Sequence, residues 1–282
     1  MWRVLVVVLA ACSRDPSARM PSADSVWPDT LKPIPPASPR LLVYQPANLT
    51  GYALHVTFQA RVGSQAQITL TTASTVHLVA GATPNTRGVV VDTIDSDALI
   101  NGRHGIVHID HERATVDDGR GPKPMPGANP TTEPMFSLVF ETSHVTMANK
   151  SSSIAASTVG TGLDDLTSVF PDLPAQPISA GFTWTTTKEL ALAHQYGRVM
   201  VTYQLTYQGD TPCPRHPTKT CAHLEIHGRS GGKYAAAYVG KLLFDLEGGI
   251  VEETRLRTAA NVESEGHDVE LDGTVLITTV AR

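Results

Sequence analysis

The sequence predicts a mainly β protein of the α+β class, with one large antiparallel sheet and one or few short helices mid-chain. Three observations carry this prediction. Apolar and polar residues alternate with period two over several long stretches, the pattern of strands buried on one face. The composition is rich in Thr, Val, Ser and Gly, as suits a pleated sheet. Only residues 163–170 repeat their apolar side chains at helical spacing.

The first twelve residues read as an address. Arg3 is followed by an apolar run over residues 4–9, then by Leu9-Ala10-Ala11-Cys12. That run is far below the roughly 20 apolar residues a membrane span needs, so a cleaved secretory signal is the better reading. Leu-Ala-Ala-Cys resembles the lipobox of bacterial lipoproteins. The resemblance implies that residues 1–11 are removed and that Cys12 becomes the lipidated first residue, holding the chain to a membrane of the bacterial cell envelope. Ser13 after the cysteine resembles the pattern that directs such proteins to the outer membrane, facing the periplasm. Residues 12–40 then carry Pro16, Pro21, Pro28, Pro33, Pro35, Pro36 and Pro39 with no hydrophobic period. Such a segment is an extended, semi-rigid tether. Residues 41–282 are expected to form a single domain of about 240 residues.

Within the domain, Leu54, Val56, Phe58 and Ala60 interleave with His55, Thr57 and Gln59, and Ala66, Ile68 and Leu70 with Gln67 and Thr69. Weaker strand signals follow at residues 76–80, 89–93 and 103–110. Residues 117–134 open with five glycines and prolines in ten positions and read as a long loop. Phe136, Leu138 and Phe140 resume the alternation. Residues 163–170 place Leu163, Leu166, Val169 and Phe170 on one helical face, and Pro171 stops the helix. In the second half Val199, Val201, Tyr203, Leu205 and Tyr207 alternate with Met200, Thr202, Gln204 and Thr206, the clearest strand in the chain. Strands around Leu224 and Ile226, and over residues 234–246, 251–257 and 269–280, complete a meander. Gly248-Gly249 makes a tight hairpin turn.

The chain has 22 basic and 27 acidic residues, a net charge of −5, and only 17% charged residues. A nucleic-acid partner needs a concentrated basic surface, which this balance does not supply. With Cys12 taken by lipid, Cys213 and Cys221 remain as a pair in an oxidising compartment, where a disulfide is expected.

Around Phe170-Pro171-Asp172-Leu173-Pro174 and Gly181-Phe182-Thr183-Trp184, the chain resembles bacterial envelope lipoproteins with a P-x-x-P…G-x-x-W passage between two β-rich halves. Several such families are similar in fold to the lipoprotein carriers of the envelope. The resemblance implies an antiparallel sheet curled into a half-barrel, its concave face apolar and able to take a lipid or other apolar ligand. It carries over no catalytic residue, so a non-enzymatic protein is expected, with a structural or protein-interaction module of the envelope as the alternative.

Three constellations could carry chemistry. Gly228-Arg229-Ser230-Gly231-Gly232 matches G-x-S-x-G, with Asp245 and His267 following in the order of α/β-hydrolases. That elbow needs a strand-turn-helix in a parallel sheet, whereas both flanks here read as β, so a glycine-rich hairpin is preferred to a serine hydrolase using Ser230. His104, His108 and His111 with Asp110 and Glu112 suggest a metal cluster. On a strand, however, His104 and His108 stand about 13 Å apart, so only His108 and Asp110 can cooperate. Cys213, His216, Cys221 and His223 are zinc-type ligands at unusual spacing, and the disulfide is the preferred reading. No metal or cofactor is therefore expected. Tyr203, Tyr207, Tyr234 and Tyr238 could line a ligand surface, although sheet packing explains them as well. Asn48-Leu49-Thr50 and Asn149-Lys150-Ser151 match the glycosylation sequon, which has no role in a bacterial lipoprotein.

Overall fold

Period-two alternation becomes strand throughout the part of the chain that the computed structural model describes: residues 32–45, 49–62, 68–80, 88–100, 103–110, 114–124, 137–148, 170–191, 198–230, 235–264 and 267–281. Fourteen strands are described. They are β1 (Leu49–Val62), β2 (Ile68–Ala80), β3 (Gly88–Ile100), β4 (Arg103–Ile109), β5 (Ala114–Asp117), β6 (Pro122–Pro124), β7 (Ser137–Phe140), β8 (Val145–Ala148), β9 (Thr183–Ala191), β10 (Arg198–Pro212), β11 (Thr220–Ser230), β12 (Ala235–Asp245), β13 (Ile250–Ser264) and β14 (His267–Ala281). The helix expected at residues 163–170 lies outside the described residues except for Phe170, which sits in a bend.

All strands belong to one antiparallel sheet in the order β6-β5-β4-β3-β2-β1-β14-β13-β12-β11-β10-β9. Two runs of sequential hairpins are thus joined where β1 pairs with β14. The outer edge of β3 forks: Gly88–Val90 pair with β7, while Ile94–Ile100 pair with β4. The loop expected over residues 117–134 contains a short strand, β6, which the Pro122-Lys123-Pro124 sequence could not advertise because proline lacks the ladder donor.

One register row runs from Tyr207 on β10 through Leu224, Leu242, Thr254, Ile277, Leu54, Ser74, Ser96 and Val107 to Val116 on β5. Every member is buried except Val116, which packs against the core. The two serines on this face satisfy each other, Ser74 Oγ lying 2.9 Å from Ser96 Oγ. On β10 the adjacent parity is polar apart from the exposed Met200, and on β3 and β4 it carries the exposed Leu99 and Ile106, whereas β12 buries Ala237, Val239 and Leu243 on that parity too.

A single sheet can bury such a face only by bending back on itself. Between β12 and β3 stand β13, β14, β1 and β2, which in a flat sheet would hold them roughly 24 Å apart. Yet Phe244 of β12 and Phe140 of β7, which pairs with β3, both pack on Tyr44, with ring centroids 5.6 and 5.7 Å away. The sheet is therefore curled, and its two edges do not pair. Both edges carry protection against pairing with another chain: β6 has its prolines and Lys123, and β9 places Lys188 at an inward position opposite Val201.

Candidate functional site

The curled sheet has one capped end. There the N-terminal segment 33–45 and the passage 170–182 cross the ends of the strands. Ile34 exchanges both backbone hydrogen bonds with Asp210, and Arg40 does so with Ile178. Among the described residues, contacts with the sheet thus include Ile34 and Arg40, within the Pro-rich segment. Farther on, Tyr44 N–H donates to Thr142 O, Gln45 N–H to Gly249 O, and Leu173 N–H to Ser143 O. The cap therefore ties the β7–β8 turn, the β12–β13 turn and the approach to β9 into one unit. Edge-on rings of Tyr44, Phe140, Phe170 and Phe244 fill it.

Charged side chains fasten the cap at two points. Arg40 Nε donates to Asp210 Oδ2 at 2.9 Å, and the Tyr207 hydroxyl donates to the other Asp210 oxygen. Burial, then Asp210, pushes the Tyr207 phenol up, so it remains a donor. Asp172 holds β9: its carbonyl accepts Trp184 Nε1 at 2.8 Å, and its carboxylate accepts Thr186 Oγ1 at 2.7 Å and the Lys188 ammonium. Pro171, Asp172 and Trp184 thus act together, which gives the P-x-x-P…G-x-x-W passage a structural role in docking the cap.

Asp245 anchors the β12–β13 turn at the same end. Its Oδ1 accepts the N–H groups of Glu247 (2.9 Å) and Gly248 (2.8 Å), and Lys219 Nζ lies 2.8 Å from Oδ2. Burial raises the carboxyl pKa, but the Gly248 N–H, Lys219 and the Glu247 N–H outweigh it, leaving the group below its ordinary value. A depressed folded-state pKa stabilises the protein above the unfolded value, and that stability is lost as pH falls through the folded one. Asp245→Asn should therefore destabilise the protein at neutral pH and flatten the acid limb below about pH 4, in urea melts across pH. An unchanged acid limb would refute this role.

The sequence-predicted sites fare differently. Cys213 and Cys221 form the expected disulfide, which is fully buried with Leu243 beneath the loop joining β10 and β11. Ser230 ends β11 in an antiparallel ladder, and its buried Oγ accepts the Ala236 N–H at 2.9 Å. Asp245 pairs with Cys221 at the opposite end of that ladder, about 30 Å from Ser230 at strand rise, so the two cannot share a triad. His267 lies on β14. His104 and His108 lie on strand β4 as predicted and bind different carboxylates: His104 Nε2 is 2.6 Å from Asp97, and His108 lies 2.7 Å from Asp95 and 3.0 Å from Asp110. The hydrogen bond to Asp95 raises the His108 pKa, overcoming burial. His111 and Glu112, like Cys12 and Tyr234, lie outside the described residues. Tyr203 and Tyr238 pack at 5.8 Å across Gly228, in the same register row.

Sequence reasoning missed Tyr44, Asp172 and Glu252. The run Leu41-Leu42-Val43-Tyr44 after the last proline was the available signal for Tyr44. Nothing local marks the other two, which matter through partners distant in the chain.

No family model matches the chain, and no curated protein matches it. Three solved structures resemble it in part. A structure of lipovitellin, described for its lipid–protein interactions, aligns over 84% of this chain and 25% of its own, with TM-score 0.43 and 8% identity. The chain thus spans about a quarter of that protein. The hypothetical lipoprotein YmcC of Escherichia coli aligns over 77% of this chain and 85% of its own, with TM-score 0.24 and 11% identity. A β-barrel-like protein of the DUF1849 domain from Brucella abortus aligns over 83% of this chain and 99% of its own, with TM-score 0.30 and 9% identity.

Proposed function

We propose that this chain is a non-enzymatic lipoprotein of the bacterial cell envelope, anchored through Cys12, whose curled sheet takes up a lipid or other apolar ligand on its concave face. The observation that carries the reading is the length of the apolar register. Beyond the row through Leu54, the register of β1 continues through Val56, Phe58, Ala60 and Val62, paired on β14 with Val275, Gly273, Leu271 and Val269. The backbone hydrogen bonds of segments 33–45 and 170–182 lie at the opposite, capped end, while the Asp172 side chain reaches along β9 as far as Lys188, opposite Val201. The cap's backbone therefore leaves further register positions of β1 and β14 with no helical layer among the described residues. An apolar face of that extent requires an apolar occupant or a second surface. In addition, the buried hydroxyls of Tyr52 and Thr254, both at inward positions, have no hydrogen-bond partner among the described residues. Each is costly to leave unmet, and a ligand's polar group or water would satisfy it.

Two measurements test the reading. The purified protein, analysed by native mass spectrometry and solvent extraction, is expected to release an apolar molecule, and the emptied chain should take up a fluorescent acyl probe. A chain that purifies empty and excludes the probe is instead a protein-interaction module. Separately, Cys12→Ser is expected to move the protein from the membrane pellet to the soluble fraction, and a variant that still pellets with membranes rules out the anchor.

A further inference from the structure

The β12–β13 ladder slips by one residue between Leu243 and Phe244, pairing Leu243 with Glu253 and Phe244 with Val251. Glu252 is the extra residue of this bulge. Bulges re-aim a side chain out of the strand alternation, and here the result is a carboxylate only 2% exposed beneath the loop of residues 213–220. Its two oxygens have different surroundings. Oε1 accepts the Arg215 N–H at 2.8 Å and has His216 Nδ1 3.6 Å away. Oε2 stands 3.1 Å from Cys221 Sγ, a sulfur that carries no hydrogen while it is bonded to Cys213.

A buried carboxylate turned toward a disulfide gains little from it, because a bridged sulfur neither donates a hydrogen bond nor offsets the charge. Against a thiol the same oxygen accepts a hydrogen bond, and against a cation shared with the sulfurs it becomes a ligand. Sγ of Cys213, Sγ of Cys221 and a Glu252 oxygen all lie within 4.8 Å of one another, and all three residues are buried. Tetrahedral ligands about 2.3 Å from a zinc ion stand roughly 3.8 Å apart, a spacing this group can reach. The two Cα atoms, 5.1 Å apart, allow one ion to be held by both sulfurs. His216, half exposed with Nδ1 3.6 Å from Glu252 Oε1, lies outside this group and has to turn inward to serve as a fourth donor. Arg215 N–H orients the carboxylate from behind, as outer-sphere hydrogen bonds do in metal centres.

We propose that in its reduced form the 213–221 loop is a site for a zinc-class divalent cation, with Cys213, Cys221 and Glu252 as ligands and His216 closing it. The ligand set differs from the one the sequence suggested, since a glutamate thirty-one positions beyond Cys221 takes the place expected for His223. The chemistry balances with a dithiol reductant. The reductant gives two electrons and two protons to the S–S bond and leaves as a disulfide. The metal then displaces the two thiol protons into solvent and forms two metal–sulfur bonds and one metal–oxygen bond. The loop thereby exchanges one cross-link for another.

Cobalt(II) is the probe, because its thiolate charge-transfer absorption reports sulfur ligation directly. The full chain carrying Cys12→Ser, which removes the third thiol, is titrated with Co²⁺ after dithiol reduction and, in parallel, in its oxidised form. The reduced chain is expected to bind one Co²⁺ with a charge-transfer band, to melt at higher temperature with the ion than without it, and to yield the ion to Zn²⁺. The oxidised chain should show no band. Glu252→Gln should weaken Co²⁺ binding by about tenfold or more. A reduced chain without the band overturns the proposal, as does a band whose affinity Glu252→Gln leaves unchanged. A reduced chain that stays unfolded with Co²⁺ present overturns it equally.

Discussion

Tyr44→Ala is expected to cost about 4 kcal/mol of stability, within the range for deleting a large buried aromatic side chain. The ring is 1% exposed and meets Phe140, Phe170 and Phe244 edge-on, so its removal opens a cavity that none of the three can fill without leaving its own contacts. Burial raises the phenol pKa far above its ordinary value, so the hydroxyl stays a donor and holds the Pro171 carbonyl at 2.7 Å. Tyr44→Phe keeps the ring and loses only that bond, which should cost about 1 kcal/mol. Urea unfolding reads both from the midpoint at constant slope. A Tyr44→Ala loss no larger than that of Tyr44→Phe would mean that the cap is an appendage and not part of the core. Because Tyr44 joins elements distant in the chain, protease cleavage within residues 33–45 should also quicken in the alanine variant.

Gly240→Ala is the second large effect, and it arises from a single added methyl group. A Cβ at Gly240 would lie 2.0 Å from the Arg255 carbonyl oxygen and 2.9 Å from Leu256 Cδ2. The first is backbone in the centre of the β12–β13 ladder, where no side-chain rotation gives relief. The strands must separate, at a cost of about 3 kcal/mol, the upper end of overpacking penalties. Gly105→Ala on β4 is the control: its Cβ would meet only the Asp117 carbonyl oxygen, at 3.8 Å. That change should be neutral or stabilise by about 0.5 kcal/mol through the unfolded chain. Thermal melts of the two variants side by side decide the matter, and equal melting temperatures would refute the close-approach argument.

Much of the sheet was legible in the residues. The alternation over 199–207 assigned Val201, Tyr203, Leu205 and Tyr207 to one face, and all four are buried while Thr202 and Gln204 are exposed. The reason is local: successive side chains of a strand face opposite sides, so a half-buried strand writes its environment into its own sequence. The Cys213–Cys221 bridge was legible for a similar reason, its partners being 8 residues apart. The site was much less legible. Asp172 looks like any loop aspartate until Thr186, Lys188 and Trp184 are placed around it. Glu252 shares the sequence parity of the inward Thr254 and Leu256, and only the bulge turns it toward Cys221.

Taken alone, then, the sequence determined the mainly β class, the long alternating strands and the disulfide, since each follows from contacts between near neighbours or from a period repeated along one element. The curl was expected only from the resemblance to the carrier-like lipoproteins, and tertiary structure alone decided that residues 34–45 belong to its capped end, that β3 forks to accept β7, and that a buried carboxylate faces the disulfide. These depend on which distant segments meet, and pairing across a hundred residues leaves no period in the chain. The opening Leu-Ala-Ala-Cys remains an address read from sequence, and the proposed uptake of an apolar ligand rests on the face that the curled sheet creates.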